Sequence, residues 1–573
     1  MAEYQNPQHE PGSERRLLLI FLVTFVVMLL FQPLLKKYLP TQPTPQPITQ
    51  PAPAKAVSPA ASVPAPAVPP GSAAVKRAPY EFDTVVENDL YKITFTNRGA
   101  QAKSWILKKF DNDAENGPLD LVNPAAAAQY GYPLSLYTYD EDLSAKLSSD
   151  LYQVTREGNK ITFEYADQEL QVRKTFALDN TYVAKIETSV VYKGSPASAL
   201  PSWPSGFGDQ VTPPFYAAGM INYQFNKNIE HQPIKKVSGG ATLPGPFHWA
   251  GPTDQYFAAI FIPDDPAAAS MVTLRNPLNI SPQKDPKDKA SQVEVLGAAV
   301  GNQRGPTTER IFVGPKELEV LEKIPVPGVT GADSDLNGLI DFGTFGILAK
   351  PLFAWLKWTF HHIVANWGWA IVVQTLIISA ALLPLRITQM KSMLKMQRVA
   401  PQIKSIQEKY KKYSLRDPRK AAMNEEISAL YKKEGVNPAA GCLPMLIQLP
   451  FLWAYYRMLS NALELRHAHW LWIKDLSAAE PFPYILPVAM IVSMLIVQRM
   501  TPTGGMDPAQ QRMMNVMMPL MMGFLFFKLA AGLNLYYSVV NVLGIAQQMV
   551  MNRTHLGKEM REMLAKRARK KEK

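Results

Sequence analysis

The chain has 573 residues, 47% hydrophobic and 19% charged, with a formal net charge of +12, and this length has room for more than one domain. Its single cysteine, Cys442, excludes an intramolecular disulfide framework and leaves no partner for a cysteine-based metal site. The excess positive charge is concentrated in two segments: residues 386–437 carry 13 Lys and Arg against 5 Asp and Glu, and residues 553–573 carry 9 against 3.

Residues 1–16 read as a cytoplasmic N-terminus ending in Arg15 and Arg16. The apolar run that follows is long for a cleaved signal peptide, and no short small-residue cleavage site abuts it. The expectation is an uncleaved transmembrane signal-anchor over 17–38. Residues 39–79 form a Pro/Ala-rich linker with 12 prolines between Pro40 and Pro79, a composition that predicts a semi-extended tether.

From 80 to 329 the pattern changes to period two, as in Tyr91-Lys92-Ile93-Thr94-Phe95 and Ile161-Thr162-Phe163-Glu164-Tyr165. Short alternating strands punctuated by Gly, Asn and Pro predict a large antiparallel β-sandwich domain. The anchor places it on the far side of the membrane. Its histidines, His231 and His248, are isolated, and no catalytic arrangement is visible in it. Residues 330–366 supply a linker and, from Phe345 to His362, an amphipathic helix suited to the outer membrane interface. The adjacent His361 and His362 have no third ligand in view, so no metal is expected.

Residues 367–551 read as a five-helix membrane core, with spans near 367–385, 443–463, 484–497, 513–531 and 533–551, each close to the roughly 20 residues that cross about 30 Å of hydrocarbon. A cytoplasmic helical hairpin, 386–437, separates the first two. The positive-inside rule places the hairpin and the basic tail, 552–573, in the cytoplasm. The fold class expected is therefore an α-helical polytopic membrane protein, one anchor plus five core helices, bearing an extramembrane β-sandwich.

The hydrophobic spans contain no Asp or Glu yet carry Gln374, Thr375, Ser379 and Arg457. Thr375 and Ser379 are four apart and share one helix face. Arg457 lies roughly 20 Å into its span at about 1.5 Å per residue, a depth at which a charge needs water or polar partners. The alternative is that Arg457 snorkels to the outer interface. A transporter would bury acidic ion-coupling groups; uncharged polar groups with one cation suit the handling of polypeptide better. Methionines, among them Met490, Met494, Met517 and Met521, suit a surface that accepts many apolar sequences, or ordinary packing. Met393, Met396, Val399, Ile403 and Ile406 on one arm of the hairpin, and Ile427, Leu430 and Tyr431 on the other, recur at helical spacing. The basic faces of the hairpin suit anionic lipid, ribosomal RNA or nascent chain, and the tail residues Arg567, Arg569, Lys570 and Lys571 read as a ribosome or lipid contact.

The run Asn437-Pro438-Ala439-Ala440-Gly441-Cys442-Leu443-Pro444, then Glu464-Leu465-Arg466, Trp472-Ile473-Lys474-Asp475-Leu476-Ser477, Tyr484-Ile485-Leu486-Pro487, Gly532 to Tyr537 and Gln547-Gln548 resembles the YidC membrane-protein insertase family. Trp249-Ala250-Gly251 and Gly314-Pro315-Lys316-Glu317-Leu318 extend the resemblance into the β-domain, in the Gram-negative arrangement. It implies an inner-membrane location and a periplasmic β-domain. A hydrophilic groove open to cytoplasm and lipid is implied as well, together with insertase and chaperone work on nascent membrane proteins, alone or beside the Sec translocon. Thr375 and Tyr537 match family groove positions. The family's groove arginine falls at Ser379 here, and Arg457 is the candidate substitute. Neither enzyme chemistry nor a cofactor is implied. A small-solute or ion transporter is the alternative function, and a membrane scaffold for the β-domain is a third.

Overall fold

A computed structural model describes residues 75–208, 219–280, 291–331, 334–410, 419–435, 443–500 and 516–554, with isolated positions 413, 417 and 558. The expected anchor, most of the linker, Cys442, the turn of the hairpin and the tail with Arg567, Arg569, Lys570 and Lys571 lie outside these residues.

The region expected to be β is built from antiparallel sheets. A four-stranded sheet runs in chain order through Asp83–Glu87, Tyr91–Thr96, Gln101–Asp111 and Pro118–Asp120. At the heart of a ten-stranded sheet, Phe257–Pro263 pairs with Phe247–Thr253 on one side and Thr307–Pro315 on the other. From Thr307–Pro315 the sheet continues through Val183–Tyr192, Leu170–Leu178 and Lys160–Ala166 to its edge at Gln153–Glu157. A five-stranded sheet is led by the long hairpin Ala269–Ile280 with Ser291–Asn302, and it lies against the ten-stranded one. Period two explains the facing: in Tyr91–Thr96 the residues Tyr91, Ile93 and Phe95 are buried while Lys92 and Thr94 are partly exposed. The strand Phe257–Pro263 is buried throughout, as expected for one covered on both faces.

Helices follow the sheets: α1 (Gly346–His362), α2 (Trp367–Ala381), α3 (Leu383–Lys409), α4 (Arg419–Lys433), α5 (Leu443–Asn461), α6 (Ile485–Met500), α7 (Met518–Phe526) and α8 (Ala531–Arg553). Where the sequence predicts an amphipathic helix, over 345–362, the chain forms α1, which buries Ala349, Phe353, Leu356 and Thr359 along one face. The expected hairpin is α3 and α4, closed by Val399 and Ile403 against Met396, Ile427, Leu430 and Tyr431 and by an ion pair of 2.6 Å between Lys409 and Glu426.

Among the described residues no single helix is both long enough and apolar enough to cross a membrane. The pair α1 and α2 passes that test together but is bent by 119°. Helices therefore stand at each expected span, and none meets the requirement of a crossing alone.

The sheets and the helices share one hydrophobic core, and polar ties run between them. The Gln255 amide donates to the Ser460 carbonyl at 2.9 Å. Arg466 donates to the Asp111 carbonyl at 2.6 Å and pairs with Asp113 at 2.8 Å. Lys357 bridges Glu319 at 3.0 Å and Glu464 at 2.9 Å.

Candidate functional site: a polar cluster between helices

Asn366 starts α2, its side chain accepting from the Trp369 amide and donating to the His469 carbonyl at 3.0 Å. That cap ties the first turn to the loop after α5 and supplies a partner for a helix-end amide. Gly368 follows because the Trp470 indole occupies the space a Cβ would take. Nearly two turns further the polar residues begin.

Gln374, Thr375 and Ser379 are all buried, at 0%, 1% and 7% exposure. The Gln374 amide donates to the Leu352 carbonyl of α1 at 2.9 Å, and its oxygen accepts from the Tyr455 hydroxyl of α5 at 2.8 Å. Gln374 therefore faces two neighbouring helices and joins both to α2. Thr375 returns its hydroxyl to the Ile371 carbonyl at 2.6 Å, the usual resort of a threonine inside a helix. Tyr455 stacks on Tyr536 of α8 with ring centres 4.1 Å apart. Tyr537 lies beside it, partly exposed, its ring edge-on to Phe526 at 4.7 Å. Gln374 on α2 is thus linked to α8 through Tyr455 and Tyr536, with Tyr537 beside them.

Arg457 stands apart. It is two residues past Tyr455, about 200° around the helix, and its guanidinium is ion-paired with Asp341. Asn461, one turn on, donates to the Asp341 carbonyl at 3.0 Å. Arg457, the candidate cation of the groove, is thus paired with a carboxylate of the segment ahead of α1, the kind of partner a charge at such depth needs.

Sequence reasoning passed over three contributors. Tyr455 has no pattern that marks it, since tyrosine is common in such helices. Asn541 donates to the Ser493 hydroxyl of α6 at 3.1 Å, and helical spacing from Tyr537 was the available signal. Arg386 sits seven residues after Ser379; its guanidinium donates to the Gln547 side-chain oxygen of α8 at 3.1 Å. In the sequence it stands at the head of the basic hairpin, whose charge hides it. Of the methionines singled out, Met490 is fully buried, whereas Met517 and Met521 are about 60% exposed.

Residues 83–355 match the family model described as the YidC periplasmic domain, and residues 359–559 match that of the 60Kd inner membrane protein. The chain is 32% identical over 491 residues to the membrane protein insertase YidC of Geobacter sp. (strain M21), covering 82% of this chain and 86% of that relative. To the membrane protein insertase YidC of Syntrophus aciditrophicus (strain SB) it is 30% identical over 575 residues, covering 94% and 99% respectively. Among solved structures, an active YidC insertase crystal structure with the first transmembrane domain resolved aligns at a TM-score of 0.35 and 19% identity, over 84% of this chain and 96% of that one.

Proposed function

The chain belongs to the YidC family of membrane protein insertases, and from that premise we propose that it inserts and helps fold inner-membrane proteins through the space between α2, α5 and α8. The observation that carries the reading is the uncharged polar cluster of Gln374, Thr375 and Tyr455, set among helices that contain no Asp or Glu.

Among the described residues Tyr455 is the polar tie of α5 to α2 and α8, through Gln374 and the Tyr536 ring, and withdrawing it lets water reach Thr375 and Ser379. A wet, shallow cavity shortens the dry distance a polar tail must cross, while the apolar segment of the substrate moves along the helices into lipid. Thr375, Ser379 and Tyr537 line this route; Gln374 acts as the hinge contact, and Arg457 with Asp341 braces the outer end. The work needs no covalent step and no bound cofactor. In the topology proposed, both termini and the α3–α4 hairpin are cytoplasmic, residues 80–329 are periplasmic, and five spans lie between 367 and 551. The basic hairpin and the tail at Arg567, Arg569, Lys570 and Lys571 engage the ribosome and anionic lipid headgroups. Work beside the Sec translocon, with a chaperone role toward multi-span clients, completes the reading.

The test is insertion of a single-span protein with a short acidic outer tail into proteoliposomes that hold only this protein. Protection of the tail from protease well above the level in empty liposomes is expected. Background protection by folded protein, or solute flux in its place, would overturn the reading.

A further inference from the structure

The segment that joins the strand Thr307–Pro315 to α1 packs on the ten-stranded sheet and buries Val326, Leu336 and Leu339. Ile229, on the edge strand Asn228–Pro233, fills the space above Gly338, and His248 donates from Nδ1 to the Pro327 carbonyl at 3.1 Å. The last residues of the segment hold α5. Asp341 pairs with Arg457, and its carbonyl accepts from Asn461 at 3.0 Å. Gly343 turns the chain at a φ of +67°, its amide donating to the Asp341 carboxylate at 2.7 Å. A Cβ at Gly343 would stand 3.0 Å from Arg457 Nε, so both the left-handed backbone and the close approach call for glycine. The segment thus grips α5 at two residues one turn apart. Tyr455, which ties α5 to α2 and α8, lies two residues before Arg457.

Asp341 has a second claimant. His231 stands two residues beyond Ile229, so the two share one face of the edge strand, and the ring is partly exposed. Its Nδ1 lies 3.1 Å from the Asn222 side-chain oxygen, while the Asn222 amide donates to the Thr253 hydroxyl at 2.9 Å. With that oxygen turned to the ring, Nδ1 carries the proton and Nε2 takes up the next one. The charges that face the ring are Asp341, Lys316 and Arg457. Lys316 donates to the Asp254 carbonyl at 2.9 Å. Glu230 and Gln232 point to the opposite face, where Gln232 donates to the Tyr223 hydroxyl at 2.9 Å. One carboxylate therefore serves two cations, and an imidazolium is a third. Burial pulls the His231 pKa below its ordinary 6.5, so the ring is neutral at pH 7 and charges only as the pH falls below that value.

Resting on the insertase reading, we propose that Asp341 is a positioning residue for the Tyr455 tie, and that protonation of His231 draws its carboxylate away from Arg457. The pair couples the helical core to the proton concentration on the β-domain's side of the membrane. At neutral pH Asp341 holds Arg457, Asn461 completes the grip, and Tyr455 stays against Gln374 and Tyr536. An imidazolium beside Asp341 competes for the same oxygens, and its repulsion of the guanidinium acts in the same direction. The end of α5 is then released, Tyr455 withdraws and water reaches Ser379. The side chains of Arg457 and Asp341 are 29% and 32% exposed. The exchange of partners therefore takes place at the edge of water, where a cation left alone costs less than it does in the interior.

The experiment uses the full chain in phosphatidylcholine nanodiscs with one reactive thiol, Ser379→Cys in a Cys442→Ser background. It follows labelling by a charged, water-soluble maleimide with no substrate present. Rates are compared between chains at one pH, so the intrinsic reactivity of the thiol cancels. At about pH 7.5 the reference chain is expected to label slowly, and the chain with Asp341→Asn roughly tenfold faster, the effect of losing one charge-assisted hydrogen-bonded pair. At about pH 5.5, below the ordinary histidine value, the reference chain is expected to label several-fold faster than the chain with His231→Gln. At the higher pH those two are expected to be equal. Asp341→Glu, which keeps the charge, is expected to keep the acid response, and Asp341→Asn to lose it. Equal rates with and without His231→Gln in acid would overturn the proposal and move any titration to Asp254, whose pKa burial raises to about 6. So would a chain with Asp341→Asn, folded by near-ultraviolet circular dichroism, that labels as slowly as the reference at the higher pH. Because labelling is read without insertion, a chain that shows the full response yet inserts nothing into liposomes would keep the coupling and remove the insertase reading.

Discussion

At the scale of single residues, the β-domain holds a group whose position predicts a pH response. Lys174 is fully buried, and its ammonium donates to three carbonyls, those of Gly99 at 3.1 Å, Ala100 at 2.5 Å and Leu134 at 2.6 Å. With no carboxylate beside it, burial pulls its pKa down from 10.5 to about 7. Below pH 7 the lysine is protonated in the folded and unfolded chain alike, and its penalty is constant. Between 7 and 10.5 the unfolded chain binds the extra proton, so stability rises with pH by up to about 1.4 kcal/mol per unit. Glu309, buried with both oxygens unpartnered and its pKa held well above the usual carboxylate range by desolvation, works in the opposite sense as pH rises. The difference between chains isolates the lysine. Lys174→Met is expected to lose this rise between pH 7 and 9 in chemical denaturation followed by near-ultraviolet circular dichroism, while also leaving three carbonyls unpaired. A variant with the wild-type slope would show that Lys174 is not the group responsible.

At the scale of elements, the placement of α2 depends on one glycine. Gly368 leaves space for the Trp470 indole, and a Cβ there would run into the ring. Trp470 in turn exchanges backbone bonds with Ile473 at 2.8 and 2.9 Å, which stiffens the loop after α5. Gly368→Leu is expected to push α2 off this loop and lower stability by about 1–3 kcal/mol, the usual range for overpacking. The displacement is read by faster amide exchange in the loop around Trp470; unchanged exchange there would mean that the loop yields freely. The element-level pattern was readable where it is local. Alternation announced Tyr91–Thr96 and Lys160–Ala166, and three- and four-residue spacing announced both arms of the hairpin. The bend of 119° between α1 and α2 has no such signature, because α1 packs on α5 while α2 packs on α8, partners distant in the chain.

At the scale of the whole molecule, the β-domain is docked on one end of the helices through Gln255, Arg466 and Lys357, with Arg466 almost fully covered. These ties surround the loop after α5 and not the Thr375–Ser379 stripe. Deleting residues 80–315 is therefore expected to leave most insertion activity in proteoliposomes, with exchange rising in the segment from Leu463 to Trp470. Loss of insertion by a deletion protein that still folds would make the β-domain part of the machinery.

By itself the sequence determined the division into strands and helices, the carboxylate-free character of the helical region and, through its motifs, the family. These are properties of local periodicity and composition. The tertiary structure decided which polar groups are paired. Arg457 meets Asp341 across 116 residues of chain and Arg386 meets Gln547 across 161, separations at which no spacing rule operates. A cation's role depends on its counter-charge, and only the folded chain brings that counter-charge within reach or withholds it.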